Sequence, residues 1–224
     1  MKHAGRARWA ALKLILLALI AAGVIAAIGC LLKLGMILAI IAGVLWFLFT
    51  LFTLYFFRDP DANVPQAPGL VVSPGHGKVD AIEQLTDSKI SGAPCHRISI
   101  FLSVIDIHVQ NAPISGKVTG VTRTAGQFVS ALRADSAEFN ENVLIEFAST
   151  ETPEEKIGLR LIAGVLARRI IPFVQPGDVM QRGDRISLIQ FGSRCDIYIP
   201  LTYKIKVQMG QMVVGGESVL AAKS

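Results

Sequence analysis

The chain is poor in the residue types that announce most chemistries. It has 3 cysteines and 4 histidines in 224 residues. Cys30, Cys95 and Cys195 form no CxxC pair and no metal-ligand spacing, which excludes a disulfide framework and leaves no metal to expect. Two isolated thiols outside the apolar block read as packing residues of a reducing compartment. GxSxG, HExxH, the Walker loop and GxGxxG are all missing, so the usual hydrolase, zinc peptidase, nucleotidase and dinucleotide-binding signatures are excluded. The net charge is +5, but no basic stripe with interleaved aromatics accompanies it, so no nucleic-acid partner is expected.

Charge is missing most conspicuously near the start. From Leu14 to Phe57 the sole charged residue is Lys33. A membrane-spanning helix needs roughly 20 apolar residues, so this block predicts two crossings, near 12–31 and 36–57. Gly29 and the Lys33-Leu34-Gly35 run supply the hairpin between them. A signal peptide has an apolar core of about 7–15 residues, far shorter than this block. Lys2, Arg6, Arg8 and Lys13 keep the first end cytoplasmic by the positive-inside tendency. The hairpin then returns the chain to the same side at Arg58. The expected division is residues 1–57, a basic tail with two transmembrane helices, and 58–224, a cytoplasmic β-rich domain at the inner membrane. Trp46, Tyr55 and Phe56-Phe57 fit an interfacial belt in part.

Beyond the proline-rich "FFRDPDANVPQAPG" the chain changes to short apolar runs punctuated by glycine, the pattern of strands and turns. "VLIEFAST" reads as a strand and "ETPEEK" as a hairpin loop. "GQFVSALRADSAEFNEN" reads as a loop with a short helix. "IGLRLIAGVLARRIIPFV" has helical leucines, yet Gly158, Gly164 and Pro172 favour strands. Two internal repeats support a mainly β fold. Pro74-x-x-Gly77-Lys78-Val79 recurs as Pro113-x-x-Gly116-Lys117-Val118, and "VQPGDVMQRGDRI" from Val174 recurs as "VQMGQMVVGGESV" from Val207. The spacing resembles the swapped-hairpin barrel of biotinyl and lipoyl carrier domains. The Met-Lys-Met tip of those carriers is absent.

Little remains that could do chemistry. Gly192-Ser193, inside the apolar stretch "QFGSRCDIYIP", reads by itself as a bulge or turn. His108, in Asp106-Ile107-His108, reads by itself as a satisfied core histidine, and His76, between two glycines, as a loop residue. His96 reads as structural, and His3 belongs to the basic tail.

Taken in order, however, six fragments resemble phosphatidylserine decarboxylase proenzymes of the short, membrane-anchored type. They are "YFFRDP", "VVSPGHGKVD", "RISIFLSVIDIHVQNAPISGKV", "GQFVSA" with "NEN", "IAGVLARRII", and "PGDVMQRGDRI" with "FGSRCDIYIP". The resemblance spans nearly the whole chain. It implies that Ser193 attacks the Gly192 carbonyl and that the backbone splits there, into a β chain 1–192 and an α chain 193–224 that stay together as a heterodimer. Residue 193 becomes a covalent pyruvoyl group that forms a Schiff base with the serine amine of phosphatidylserine and releases carbon dioxide, yielding phosphatidylethanolamine. His108 matches the family's acid–base histidine. His76 stands where the family carries aspartate in Ser-Pro-Ala-Asp-Gly, and is the candidate base for self-cleavage; Asp80 and Asp106 are alternative sources of the missing charge. Asn111 stands where longer relatives carry a second histidine. Arg194 is a candidate for binding a substrate carboxylate or phosphate, although an exposed strand arginine is the plainer reading. Two other functions fit the same features: decarboxylation of an ether-linked lipid with the same serine headgroup, of the archaetidylserine type, or a non-catalytic, carrier-like membrane adaptor. The oligomeric state beyond the heterodimer is open.

Overall fold

The computed structural model describes residues 2–31, 35–86, 93–129, 139–152, 155–164, 169–190 and 193–223. The chain divides into two units, Gly5–Asp59 and a second from Pro60 to Ser224 that also takes in the first four residues. The first unit is a pair of helices, α1 (Arg6–Leu31) and α2 (Gly35–Phe56), each long and apolar enough to cross a membrane. The first begins six residues before the expected 12, because nothing between Arg6 and Lys13 breaks a helix. Near the hairpin the helices approach closely: a Cβ added at Gly29 would lie 3.0 Å from the Leu38 Cβ. Trp46 spends its indole N–H on the other helix, donating to the Ile15 carbonyl at 3.3 Å. Of the expected hairpin residues, Lys33 and Leu34 lie outside the described residues.

The second unit is mainly β among its described residues. In chain order its strands are β1 (Leu70–Val72), β2 (Gly77–Leu85), β3 (Cys95–Leu102), β4 (Val109–Asn111) and β5 (Gly116–Thr124). They continue with β6 (Asn142–Ser149), β7 (Lys156–Ala163), β8 (Arg169–Pro172), β9 (Val179–Met180) and β10 (Arg185–Gln190). The last are β11 (Ser193–Pro200), β12 (Tyr203–Ile205), β13 (Met212–Val213) and β14 (Val219–Lys223). The stretch with helical leucines is therefore β7 and β8, as its glycines and proline predict, with 165–168 outside the described residues. Residues 130–138, from the stretch expected to be a loop with a short helix, also lie outside them. The flanks of that loop close through a bridge between Gln127 and Asn140.

One eight-stranded antiparallel sheet runs β13-β2-β3-β11-β7-β6-β5-β9, and two three-stranded sheets run β1-β14-β12 and β4-β10-β8. The sequence repeats are visible in this order as a twofold relation about the β11–β7 pair. The matched turns make matched bonds. Gly177 N–H donates to Val118 O and Gly210 N–H to Val79 O, both at 2.8 Å. Gly183 N–H donates to Ala112 O and Gly216 N–H to Ser73 O, again at 2.8 Å. All four glycines have positive φ, from +76° to +101°, a region that glycine enters without a Cβ penalty. Between the sheets lies one core that includes Val79, Ile100, Leu102, Phe147, Leu159, Cys195 and Ile197.

Two glycines that open the repeated strands are needed for a different reason. A Cβ at Gly77 would fall on the Phe101 carbonyl oxygen, and one at Gly116 on the Ala148 carbonyl oxygen. Neighbouring backbone cannot yield as a flexible side chain can. Gly77→Ala should therefore cost about 1–3 kcal/mol, the usual penalty of overpacking. Gly43→Ala, which meets nothing within 4 Å, is the control. Thermal unfolding of the two variants in detergent should show a lower midpoint for the first alone.

Candidate active site

The site is built where the chain passes from β10 into β11. Strand β11 enters the centre of the large sheet, and its first residue, Ser193, pairs with Leu102 of β3 on one side and Ala163 of β7 on the other. Ser193 is completely buried, and its Oγ has no hydrogen-bond partner among the described residues. Leaving a buried hydroxyl unpaired costs about 1–3 kcal/mol. Alternation along β11 puts Ser193 on the face shared by Cys195 and Ile197. Gly192 and Phe191 lie outside the described residues.

Against that face lies the turn Ser73-Pro74-Gly75-His76-Gly77. A Cβ at Gly75 would sit 3.4 Å from Leu102 Cδ2 and 3.5 Å from Cys195 Sγ, so the turn packs on the immediate neighbours of Ser193. Ser73 stiffens it from within, its Oγ donating to the Gly75 carbonyl at 2.6 Å. His76 is half-buried, with its ring edge against Gly215. A Cβ at Gly215 would stand 3.1 Å from His76 Nε2 and 2.9 Å from Asn111 Oδ1. The glycine thus makes room for both side chains. Asn111 is held by its Nδ2 donating to Gly183 O and its backbone N–H donating to Pro74 O, each at 2.8 Å.

His108 is 1% exposed and precedes β4. Its carbonyl accepts the Ile189 N–H at 3.0 Å, which ties it to β10 just upstream of the 192–193 bond. Its Nδ1 lies 2.8 Å from the Asp106 carbonyl oxygen. A carbonyl can only accept, so Nδ1 carries a proton and Nε2 is the nitrogen left to exchange one. The Asp-x-His motif works through this backbone contact. The Asp106 carboxylate turns elsewhere, its Oδ2 accepting the Ser103 N–H and Oγ at 2.8 Å each.

The structure separates Arg194 from the Ser193 face. Alternation sends its side chain to the other side of the sheet, where it is 2% exposed, contrary to the exposed strand arginine that the sequence suggests. Its Nε donates to Asp196 Oδ1 at 2.6 Å and its Nη2 to Ser99 Oγ at 2.7 Å, and Asp80 Oδ2 lies 4.0 Å from Nη1. The guanidinium is thereby engaged by its own chain, and Asp80 belongs to this cluster. Sequence reasoning missed the cluster because an arginine in a strand normally reaches water; the signal was Arg194 and Asp196 on one face, two residues apart. His96 lies at the far end of β3, paired with Ile199.

A cleft of about 650 Å³ lies at the matching turn of the second repeat. Ser115 there takes the place of His76, and Arg182 that of Gly215. Arg182 fills the space with its own side chain, donating to Glu151 and to the carbonyls of Pro65 and Ala67.

With this geometry in place, comparison with known proteins defines first a class, a decarboxylase made as a proenzyme. A sequence profile described as phosphatidylserine decarboxylase matches residues 49–221. The phosphatidylserine decarboxylase proenzyme of Desulfotalea psychrophila is 42% identical over 176 residues, covering 79% of this chain and 81% of its own. The proenzyme of that name from Syntrophus aciditrophicus is 40% identical over 171 residues, covering 76% and 79%. That of Carboxydothermus hydrogenoformans is 36% identical over 195 residues, covering 87% and 90%. The chain belongs to the phosphatidylserine decarboxylase family.

Burial raises the Asp80 carboxyl above its ordinary value of 3.8, against the lowering influence of Arg194. The folded state therefore favours protonated Asp80, and this contribution fades as pH rises from 3.8 through the raised value. Asp80→Asn removes the titration. The melting-temperature difference, variant minus parent, should increase from pH 4 to pH 7 (approximate bounds of the carboxylate range); a difference that falls over that interval would show that the Arg194 attraction dominates.

Proposed function

We propose that this chain decarboxylates phosphatidylserine to phosphatidylethanolamine with a pyruvoyl group made from its own Ser193. The observation that carries the reading is the buried Ser193 Oγ, without a partner among the described residues, at the first residue of a strand that is paired on both sides. An unsolvated hydroxyl loses little on leaving its surroundings to attack the carbonyl next to it.

In self-cleavage the Ser193 Oγ bonds to the Gly192 carbonyl carbon as the amide C–N bond breaks, converting amide to ester. Loss of the Ser193 α-proton then expels the Gly192 carboxylate, leaving dehydroalanine, which takes up water and releases ammonia. Residues 1–192 and 193–224 become two chains. His76 is the base we assign to the first proton, its ring edge against Gly215 on the turn that packs on the neighbours of Ser193. The Asp106 carboxylate caps the Ser103 turn, and Asp80 sits with Arg194 on the other face of the sheet.

The residues fit the group they would carry, since a small planar ketone replaces a small hydroxymethyl side chain in a closed site. When formed, the pyruvoyl group supplies an electrophilic carbonyl for the headgroup amine and an electron sink for the carboxylate's departure. What the protein contributes is placement. The β3 and β7 ladders fix residue 193, Gly75 and Leu102 close one side against water, and His108 delivers a proton from Nε2 because Nδ1 is held by Asp106 O. The two apolar helices tether this chemistry to the bilayer that holds the substrate, with the β unit on the cytoplasmic side that the basic N-terminal tail dictates.

Intact mass measurement of the purified chain should give one fragment ending at Gly192 and a second, 193–224, that reacts with carbonyl reagents and has no free amino terminus. Ser193→Ala should remain a single chain of 24.1 kDa. A parent chain that also remains whole would overturn the reading. His108→Ala should still be cut, but decarboxylate about 10²–10⁴-fold more slowly, the usual worth of a placed acid; undiminished turnover removes His108 from the role.

A further inference from the structure

The turn Arg182–Arg185, between β9 and β10, holds chain that arrives from both sides of the helix pair. Arg182, Gly183 and Arg185 take the segment that follows α2. Arg182 Nη1 donates to Pro65 O at 2.9 Å and to Ala67 O at 2.7 Å, Val64 leans on Gly183, and Arg185 Nη2 donates to Asp61 Oδ1 at 2.9 Å. Asp184 takes the segment that precedes α1, its Oδ1 accepting the Lys2 backbone N–H at 2.9 Å. The Lys2 ammonium donates to Val179 O on β9, the last strand of the large sheet, and carbonyls at a sheet edge lack strand partners. The His3 ring meets the Phe173 ring, with centroids 5.9 Å apart and planes at 50°. Residues 2–4 accordingly fall in the β unit, whereas Gly5–Asp59 form the other.

This is a fitted contact and not a basic tail lying on an acidic patch. The Asp184 carboxylate is 4% exposed, and its other oxygen accepts the Gln181 N–H at 2.9 Å, so the acceptor is fixed before Lys2 reaches it. What it takes from Lys2 is a backbone N–H, a directed bond that diffuse charge attraction does not supply. His3 stands at φ +62°, a left-handed conformation that a non-glycine residue keeps only where its surroundings hold it there. Gly5 follows at φ +82°, with open space where a Cβ would be, and makes the bend from which α1 starts. Its carbonyl accepts the Trp9 N–H at 3.2 Å.

We propose that the turn Arg182–Arg185 is a docking surface for the basic segment ahead of α1, and that it thereby fastens the β unit to the chain on both sides of the helix pair. Attached through the segment after α2 alone, the β unit would swivel about one connection, and a second attachment removes that freedom. Each contact is small or exposed, and as a free peptide the segment would bind weakly. Tied through the helix pair, it docks intramolecularly, and weak contacts then suffice. Docking also requires the segment to emerge on the same side of the membrane as the β unit, so the latch closes only on a hairpin. The fastened turn matters to the candidate site because β10 starts in it and ends just before Ser193.

The test uses the full chain in phosphatidylcholine liposomes, with Cys30→Ser so that the remaining native thiols, Cys95 and Cys195, are buried. A spin label is attached at Ala4→Cys, an exposed position in the docked segment. Docking predicts a spectrum dominated by a slow component. Lys2→Pro removes both donors without altering Asp184 or Val179, and should lower the slow-to-fast ratio about tenfold, the usual worth of one hydrogen bond to a charged group. Lys2→Arg keeps both donors and should leave the spectrum as in the parent. A parent label that is already fast overturns the proposal. So does immobilisation that survives Lys2→Pro, since something other than Asp184 then holds the segment. In a second arm, Lys2→Cys with Val179→Cys is treated with a short bis-maleimide. A cross-link within one chain supports the docking. Its absence overturns it, and so does a product of doubled mass, because the segment then sits on a neighbouring copy. Neither arm needs turnover, so a chain that fails to cut itself at Ser193 fails the functional reading without deciding this one.

Discussion

Everything proposed for this protein depends on the register of β11. Its first residue is clasped by β3 and β7, which leaves the Ser193 hydroxyl in a dry place with no partner among the described residues. A slip of one residue would turn Ser193 to the opposite face and bring Arg194 into the core, because side chains alternate along a strand. The ion pair on the far face guards against that slip. Arg194 and Asp196 are both buried and bonded to one another, and exposing either to the apolar side would strand a charge, at a cost of several kcal/mol. The charged cluster therefore needs no contact with substrate to matter; it holds the serine to one face.

The twofold relation within the β unit explains how such a site coexists with a stable fold. Both repeats use the same glycine turns and the same backbone bonds, so the framework is specified twice. The two ends diverge by an exchange of bulk. At one, Gly215 is bare and the His76 ring and Asn111 amide move in over it. At the other, position 115 is only serine and Arg182 fills the space, clamping Glu151 and the carbonyls of the segment that leads from the membrane. Val64 of that segment leans on Gly183, and Arg185 bonds Asp61 at 2.9 Å. The incoming chain touches both copies, Ala62 on Gly216 and Val64 on Gly183, but only the second copy clamps it with an arginine.

Much of the architecture was legible in residue order. An apolar block with one charge gives helices in any setting long enough to satisfy its backbone, and paired glycine spacings give turns. The glycines and proline of 158–172 outweighed its leucines because a strand buried on both faces needs no alternation. The site was legible only in part. The family resemblance singled out Ser193, His108 and His76, but not which atoms they would meet. That the Asp106 backbone, and not its carboxylate, holds His108 follows from how the 103–106 turn closes on itself. That Asp80 sides with Arg194 follows from an irregularity in β2 between Val79 and Ala81, which no pattern of residue types announces.

The same strand pairing keeps the two fragments together after the proposed cut. Once the bond before Ser193 breaks, residues 193–224 have no covalent link to the rest, yet each major strand they form is zipped to the larger fragment. Strand β11 lies between β3 and β7, β13 on β2, and β14 on β1. Arg194 adds a bond to Ser99 of β3, one residue from the new terminus. A free chain end normally frays, since its last residues make few bonds. Here the new end begins inside a sheet, held on both edges and locked by a buried ion pair, so the group at position 193 keeps the placement that its precursor hydroxyl had. Cleavage changes the chemistry of that one residue while the fold that positions it stays closed around it.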